Sequence, residues 1–225
     1  GSDTANYFLP WFRPSPVQCT SWGWPVTSGI PAMDYFLSSD LLDDADDEQS
    51  YSEALIRMPD NLLTCYERPS NPDELPSRAN LGLPQESRIY LCHQNPRKIH
   101  PDFDALMGAI LERDPDGIVI LLNARQDWIG KQLRQRFRDT LPDVEERIRI
   151  LPRQERSRYL ALIAQAHVAL DPPHYSGANT SFDAFAMGVP LVTLPSKQQR
   201  GRYTAALYRK MGMADVIPRH EDEYI

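Results

Sequence analysis

Short apolar runs alternate with amphipathic segments from about residue 78 onward. The apolar runs predict strands at residues 88–92, 117–122, 148–151, 168–171 and 190–194. The segments between and after them predict helices at residues 101–113, 128–141, 156–166, 181–187 and 203–211. This alternation is typical of a parallel sheet covered by helices on both faces. The sequence therefore predicts a doubly wound, Rossmann-like α/β domain over residues 78–225.

The chain before residue 67 has a different pattern. Three short strands are predicted there, at residues 16–22, 33–38 and 54–58, with too few apolar residues for a complete core. Residues 67–77 carry three prolines among polar residues and are the predicted linker. We interpret residues 1–66 as a remnant of a preceding domain. The acidic run at residues 40–48 is interpreted as a solvated loop, with a partner contact as the alternative.

Composition narrows the function classes. The formal net charge of −7 argues against a nonspecific nucleic-acid surface, which needs a concentrated basic face. No apolar run is long enough to predict a membrane span. The three cysteines form no C-x-x-C pair and are expected to be reduced, buried thiols of a cytoplasmic protein.

Candidate chemistry lies in the segment at residues 171–183, which follows a predicted strand and opens a predicted helix. Gly177 permits close approach of the backbone, and Asn179 or Thr180 is expected to cap the helix, with Asp183 in the capping-box position. Free amides and the helix dipole would then form an anion site suited to a diphosphate. An ordinary capped helix is the alternative. The chain has neither G-x-G-x-x-G after its first sheet strand nor a P-loop, which disfavours dehydrogenases and NTPases.

The sequence at residues 179–190, Asn-Thr-Ser-Phe-Asp-Ala-Phe-Ala-Met-Gly-Val-Pro, resembles the donor loop of O-GlcNAc transferases and their bacterial relatives. Similar matches occur at residues 16–29, 33–35, 51–53, 92–98 and 202–208, so the resemblance extends over about residues 14–224. It implies a GT-B glycosyltransferase whose second Rossmann-like domain binds a UDP-sugar, UDP-GlcNAc by preference. The parent would carry an upstream catalytic domain, often behind tetratricopeptide repeats, and would modify a protein acceptor.

The resemblance also implies roles for individual residues. Lys98 matches the family lysine that neutralises the donor diphosphate, and we take it as the catalytic residue. Gln94 or Asn95 would bind the donor through an amide. Donors to the diphosphate are expected from three neighbouring residues, Asn179, Thr180 and Ser181.

The nucleoside is expected at three further residues. Asp183 matches the position that accepts hydrogen bonds from ribose hydroxyls. Arg156 and Tyr159 stand where animal relatives have a lysine and a histidine near the uracil, and this departure leaves GDP or TDP open as alternatives. Ala178 stands where those relatives have a histidine.

The reaction is expected to be an inverting displacement without cofactor or metal ion. The Glu-x7-Glu pair common in retaining GT-B enzymes is missing, because Tyr175 stands eight residues before Asp183. The histidines have no metal-binding spacing. His174 lies on the donor loop, where we expect it to have a structural role. The candidate base would lie upstream, so this chain should not transfer sugar. Transfer to a glycan or lipid, and a degenerate nucleotide-binding scaffold, are the alternative functions.

Overall fold

A computed structural model describes residues 4–62, 64–69 and 76–225. It contains two parallel sheets. The first has the order β1-β2-β3, and the second has the order β6-β5-β4-β7-β8. The strands are β1 (Cys19–Ser21), β2 (Tyr35–Ser39), β3 (Ala54–Met58), β4 (Arg88–Cys92), β5 (Gly117–Leu122), β6 (Ile148–Leu151), β7 (Val168–Asp171) and β8 (Leu191–Thr193). The second sheet confirms the predicted doubly wound fold.

Among the described residues, the first and the last helix were not predicted, and the other helices agree with the predictions to within one or two residues at each end. The helices are α1 (Thr4–Phe8), α2 (Asp102–Arg113), α3 (Asp127–Thr140), α4 (Arg156–Ala164), α5 (Asn179–Ala186), α6 (Tyr203–Lys210) and α7 (Glu221–Tyr224). Residues 70–75 of the expected linker lie outside the described residues.

The core lies on both faces of the second sheet. The interior strand β5 is buried along its whole length. Its alternate side chains enter two different apolar clusters, because successive residues of a strand point to opposite faces. Helices α2 and α3 cover one face, whereas α4, α5 and α6 cover the other.

The part of the chain before residue 67 packs against the helix that follows the second sheet. Leu42 and Leu62 pack into a cluster whose other buried members, Tyr203, Ala206 and Leu207, all belong to α6. The Tyr203 hydroxyl also donates to the carbonyl of Leu62, at 3.2 Å. The segments that follow β2 and β3 therefore pack on helix α6.

The acidic segment at residues 40–48 is only in part the solvated loop that was expected, because Asp43 is buried and Asp47 half-buried whereas its other acidic residues are exposed. Asp43 is 2% exposed and accepts a 2.7 Å hydrogen bond from the Gln199 side chain. Asp47 forms a 2.5 Å salt bridge with Arg202, and hydrogen bonds from Arg202 help to lower its pKa against the effect of burial. Asp43 and Asp47 are therefore contacts between the two units of the chain, and their charges are matched by an amide and a basic side chain after β8.

The cysteines also differ from expectation. Cys92 is buried, but Cys19 and Cys65 are exposed, and all three are free thiols. Among the described residues, no helix has the length and apolar character that crossing a membrane requires.

Candidate functional site

The strand order places a crevice at the carboxyl ends of β4 and β7. These strands are neighbours, but the chain leaves them in opposite directions, since β5 and β6 lie on one side and β8 on the other. Ligands of open parallel sheets bind at such a switch point. The segment that follows β4 contains Gln94 and Lys98, and the segment that follows β7 contains Gly177. The predicted donor residues therefore meet at the expected edge of the sheet.

Lys98 is held in place by three contacts. Its Nζ donates to the Gln94 side-chain oxygen at 3.1 Å and to the Ser176 carbonyl at 3.0 Å. The ammonium also lies 4.6 Å from the centre of the Tyr175 ring. Burial lowers the pKa of Lys98, whereas the charge of Asp171 opposes this shift. An ammonium has three donors, so two hydrogen bonds leave one N–H for an incoming anion.

The structure distinguishes Gln94 from Asn95. Gln94 is 1% exposed, and its amide nitrogen donates to the Thr180 hydroxyl at 2.6 Å. Asn95 is exposed and accepts a hydrogen bond from the Arg97 amide, which caps the short 3₁₀ helix Pro96–Lys98. Gln94 thus joins Lys98 to the start of α5, and Asn95 has a local role.

Helix α5 begins two residues earlier than predicted. Its N-cap position is Ala178, which offers no side-chain oxygen, so the expected capping box is wrong. The hydroxyl of Ser181 lies buried at 2.7 Å from the Thr204 hydroxyl and is not directed to the crevice. Because no side chain of the described residues caps this end, its first amides remain available to an anion.

Asp171, which was not among the predicted site residues, organises the loop before α5. Its two carboxylate oxygens accept hydrogen bonds from the Gly177 amide at 2.7 Å and from the Thr193 hydroxyl at 2.8 Å. Burial raises the pKa of Asp171 to about 6, against hydrogen bonds from Thr204, Gly177 and Thr193. The sequence does contain one indication of this role, because Asp171 is an acidic residue at the end of an otherwise apolar strand.

Replacing Asp171 with asparagine should change how stability depends on pH. The pKa of Asp171 rises from 3.8 to about 6 on folding, so its protonated form stabilises the fold below about pH 4. That contribution is lost as the pH rises through about 6, a change of about 3 kcal/mol. The free energy of unfolding of Asp171→Asn, measured with urea, should therefore increase relative to that of the wild type as the pH rises from 4 to 7. The exposed Asp143→Asn should show no such gain, and equal behaviour of both variants would contradict this account.

A second cluster surrounds Asp183. Arg156 donates to both carboxylate oxygens, at 2.8 and 2.6 Å, and the Tyr66 hydroxyl donates to one of them. Burial raises the pKa of Asp183, but the hydrogen bonds from Arg156 and Tyr66 outweigh it and hold the pKa below 3.8. The Tyr66 ring stacks on Phe182 at 4.8 Å. Asp183 is therefore a fixed, ionised acceptor.

Tyr159 and His93 connect the two clusters. The Arg156 guanidinium lies 5.5 Å from the centre of the Tyr159 ring, which is 6.0 Å from the His93 ring. His93 in turn bonds through Nε2 to the Thr180 carbonyl at 2.8 Å. A cleft of about 410 Å³ opens beside them, between the carboxyl ends of β4, β5 and β6. Tyr66 was not among the predicted site residues. It lies 117 positions before Asp183, so no local sequence pattern connects the two.

Comparison with known proteins decides the family. The sequence profile of glycosyl transferase family 41 matches residues 63–225. The chain belongs to glycosyl transferase family 41. The match contains every residue of the two clusters described above, from Tyr66 to Thr204.

Relatives of the chain agree with this membership. The SPINDLY protein of Arabidopsis thaliana, named as a probable UDP-N-acetylglucosamine–peptide N-acetylglucosaminyltransferase, is 30% identical over 95% of this chain. The Arabidopsis SEC protein, which bears the same enzyme name, is 26% identical over 94% of this chain. A solved structure of a Thermobaculum terrenum O-GlcNAc transferase variant superposes with a TM-score of 0.81 and is 29% identical over 94% of this chain.

This family 41 chain is much shorter than those relatives. It covers 23% of the Arabidopsis SPINDLY protein, 22% of the SEC protein and 40% of the Thermobaculum chain. The shared part includes both sheets.

Proposed function

We propose that this chain is the donor-binding part of an inverting, metal-independent glycosyltransferase that uses UDP-GlcNAc and glycosylates a protein. The names of the plant relatives support the donor and the acceptor class. Membership of glycosyl transferase family 41 supports the reaction type. The upstream catalytic domain and tetratricopeptide repeats of the full-length parent remain part of the proposal.

One observation carries the proposal: the Lys98 ammonium and the uncapped start of α5 meet at the switch point and are joined through Gln94. Both present positive electrostatic potential to the same place, one as a full charge and the other as amides and a helix dipole. In the transfer, the acceptor attacks the anomeric carbon of the sugar, and the bond between that carbon and the diphosphate oxygen breaks. Lys98 and the α5 amides would stabilise the charge that develops on that oxygen.

The second cluster suits the nucleoside. Asp183 would accept a hydrogen bond from a ribose hydroxyl, beside those that it accepts here from Arg156 and Tyr66. Arg156 and Tyr66 would keep this carboxylate ionised and correctly oriented. Arg156 and Tyr159 would lie beside the base, next to the cleft at the ends of β4, β5 and β6.

Calorimetric titration of the chain with UDP, GDP and TDP tests the donor. We expect one UDP per chain, bound more tightly than the other two, with the same affinity in the presence of EDTA. Tighter binding of GDP would contradict the assignment of the base. Failure of all three to bind would instead favour a degenerate scaffold module.

Asp183→Asn should weaken UDP and uridine alike, by about tenfold, because both ligands carry the ribose hydroxyls and a hydrogen bond to a charged acceptor is lost. The exposed Asp143→Asn is the matched control and should bind both ligands as the wild type does. Circular dichroism would verify that the variant is folded. A loss confined to UDP would place Asp183 beside the phosphates and contradict the ribose role.

A further inference from the structure

Two histidines and an aspartate meet beside the donor loop, although their spacing in the sequence gives no sign of it. Asp102 is the first residue of α2 and His100 lies two residues before it, whereas His174 lies in the loop after β7, 72 residues beyond Asp102. His174 Nε2 is 2.8 Å from one carboxylate oxygen of Asp102, and His100 Nδ1 is 3.3 Å from the other. One ligand atom from each residue fits within 4.8 Å of the other two.

This set of atoms has the chemistry of a transition-metal site. Two imidazoles and one carboxylate suit zinc and its neighbours in the first transition row, whereas magnesium and calcium prefer oxygen ligands alone. Zinc binds nitrogen and oxygen at about 2.0–2.2 Å, so tetrahedral ligands lie roughly 3.4 Å apart. The two nitrogen–oxygen separations, 2.8 and 3.3 Å, lie close to that value, and no two of the three ligand atoms are more than 4.8 Å apart. All three residues are exposed, which leaves room for water to complete the coordination.

The backbone at His174 points to the same conclusion. His174 has φ 70°, in the left-handed region that residues other than glycine seldom adopt. The His174 ring contacts Asp102 and lies against the His100 ring, with the two ring centroids 4.7 Å apart. Ion pairs between exposed side chains contribute little to stability, so they are a weak reason for a strained residue at this position.

We propose that His100, Asp102 and His174 form a binding site for a divalent transition-metal ion, with zinc as the test ion. Bound there, the ion would fasten the donor loop to the start of α2. The next residue, Tyr175, lies against the Lys98 ammonium, so the ion would also restrict the surroundings of that lysine. The site is separate from the diphosphate position, and no step of sugar transfer uses it. Metal binding itself does not rest on the proposed function.

The test uses the chain with Cys19→Ser and Cys65→Ser, because exposed thiols bind zinc on their own. Titration with zinc chloride should show one saturable site by calorimetry. Zinc at 100 times the dissociation constant should raise the thermal midpoint by about 5 °C or more. Magnesium chloride at the same concentration should leave the midpoint unchanged. No nucleotide is present, so the result is independent of the donor proposal.

Four variants on this background identify the ligands. His100→Ala and Asp102→Asn should each weaken zinc binding by at least tenfold, whereas His220→Ala, which removes an exposed histidine elsewhere, should not. His174→Gly removes a ligand and at the same time suits the left-handed backbone. It should therefore stay folded without zinc, with an unchanged or higher thermal midpoint, and lose the zinc-dependent rise. Zinc binding that survives in His174→Gly, or that is absent from the parent, would overturn the proposal.

Discussion

Replacing Lys98 with methionine should weaken UDP binding by about tenfold to a hundredfold and leave uridine binding nearly unchanged. Methionine retains most of the length of the lysine side chain, so it can still cover the Tyr175 ring, but it carries no charge and no N–H. Hydrogen bonds to charged groups contribute about 1.5–3 kcal/mol, which corresponds to that range of affinity. Only UDP has the diphosphate that the ammonium would neutralise. Calorimetry with both ligands at one ionic strength measures the difference.

Salt provides an independent check on the same variant. Ionic strength screens a charge-paired contact but has little effect on a neutral hydrogen bond. UDP affinity of the wild type should therefore fall with added salt, and the Lys98→Met variant should lose part of that dependence. Lys131→Met, which removes an exposed charge from α3, serves as the control. Equal loss of UDP and uridine binding, with unchanged salt dependence, would show that Lys98 has a structural role only.

Gly177→Ala should both destabilise the fold and abolish high-affinity nucleotide binding. A β-carbon at this position would lie 2.4 Å from the Gln94 amide nitrogen and 2.7 Å from the Thr180 hydroxyl. The Ser181 hydroxyl is closer still and is itself buried against Thr204. These groups must move, and overpacking of this kind costs about 1–3 kcal/mol. We expect a thermal midpoint lower by several degrees.

The loss of binding would follow from the same displacement, since Gln94 joins Lys98 to Thr180. Gly23→Ala is the matched control, because a β-carbon there meets no other atom within 4 Å. It should retain the thermal midpoint and the UDP affinity of the wild type. A Gly177→Ala protein with wild-type stability and affinity would mean that the packing around Gly177 does not govern the site.

The fold could be predicted from the sequence because its signals are local. Strand β5 is a run of six residues with no polar side chain, and such a run is buried on both faces of a parallel sheet. The spacing of apolar residues predicts the helices between the strands. Strand ends then indicate which loops share one edge, so Lys98 and Thr180 could be assigned to the same crevice.

The partners of the polar side chains were decided by tertiary structure. Asp183 was expected as a helix cap and ribose acceptor, but the chain brings Arg156 and Tyr66 to it from 27 and 117 positions away. The choice between Gln94 and Asn95 likewise depends on which amide points toward Thr180, 86 residues later in the sequence. No local sequence pattern predicts which way these side chains point.

The same reason explains why the sequence did not indicate the contacts of Asp43 and of His174. Asp43 meets Gln199 across 156 residues, and His174 meets Asp102 across 72. The burial of apolar residues follows a periodic pattern within each helix or strand, and that local pattern is enough to predict the sheet. Hydrogen bonds and ligand sets depend on single atoms from distant segments, within a few tenths of an ångström. Only the packed chain brings those atoms together.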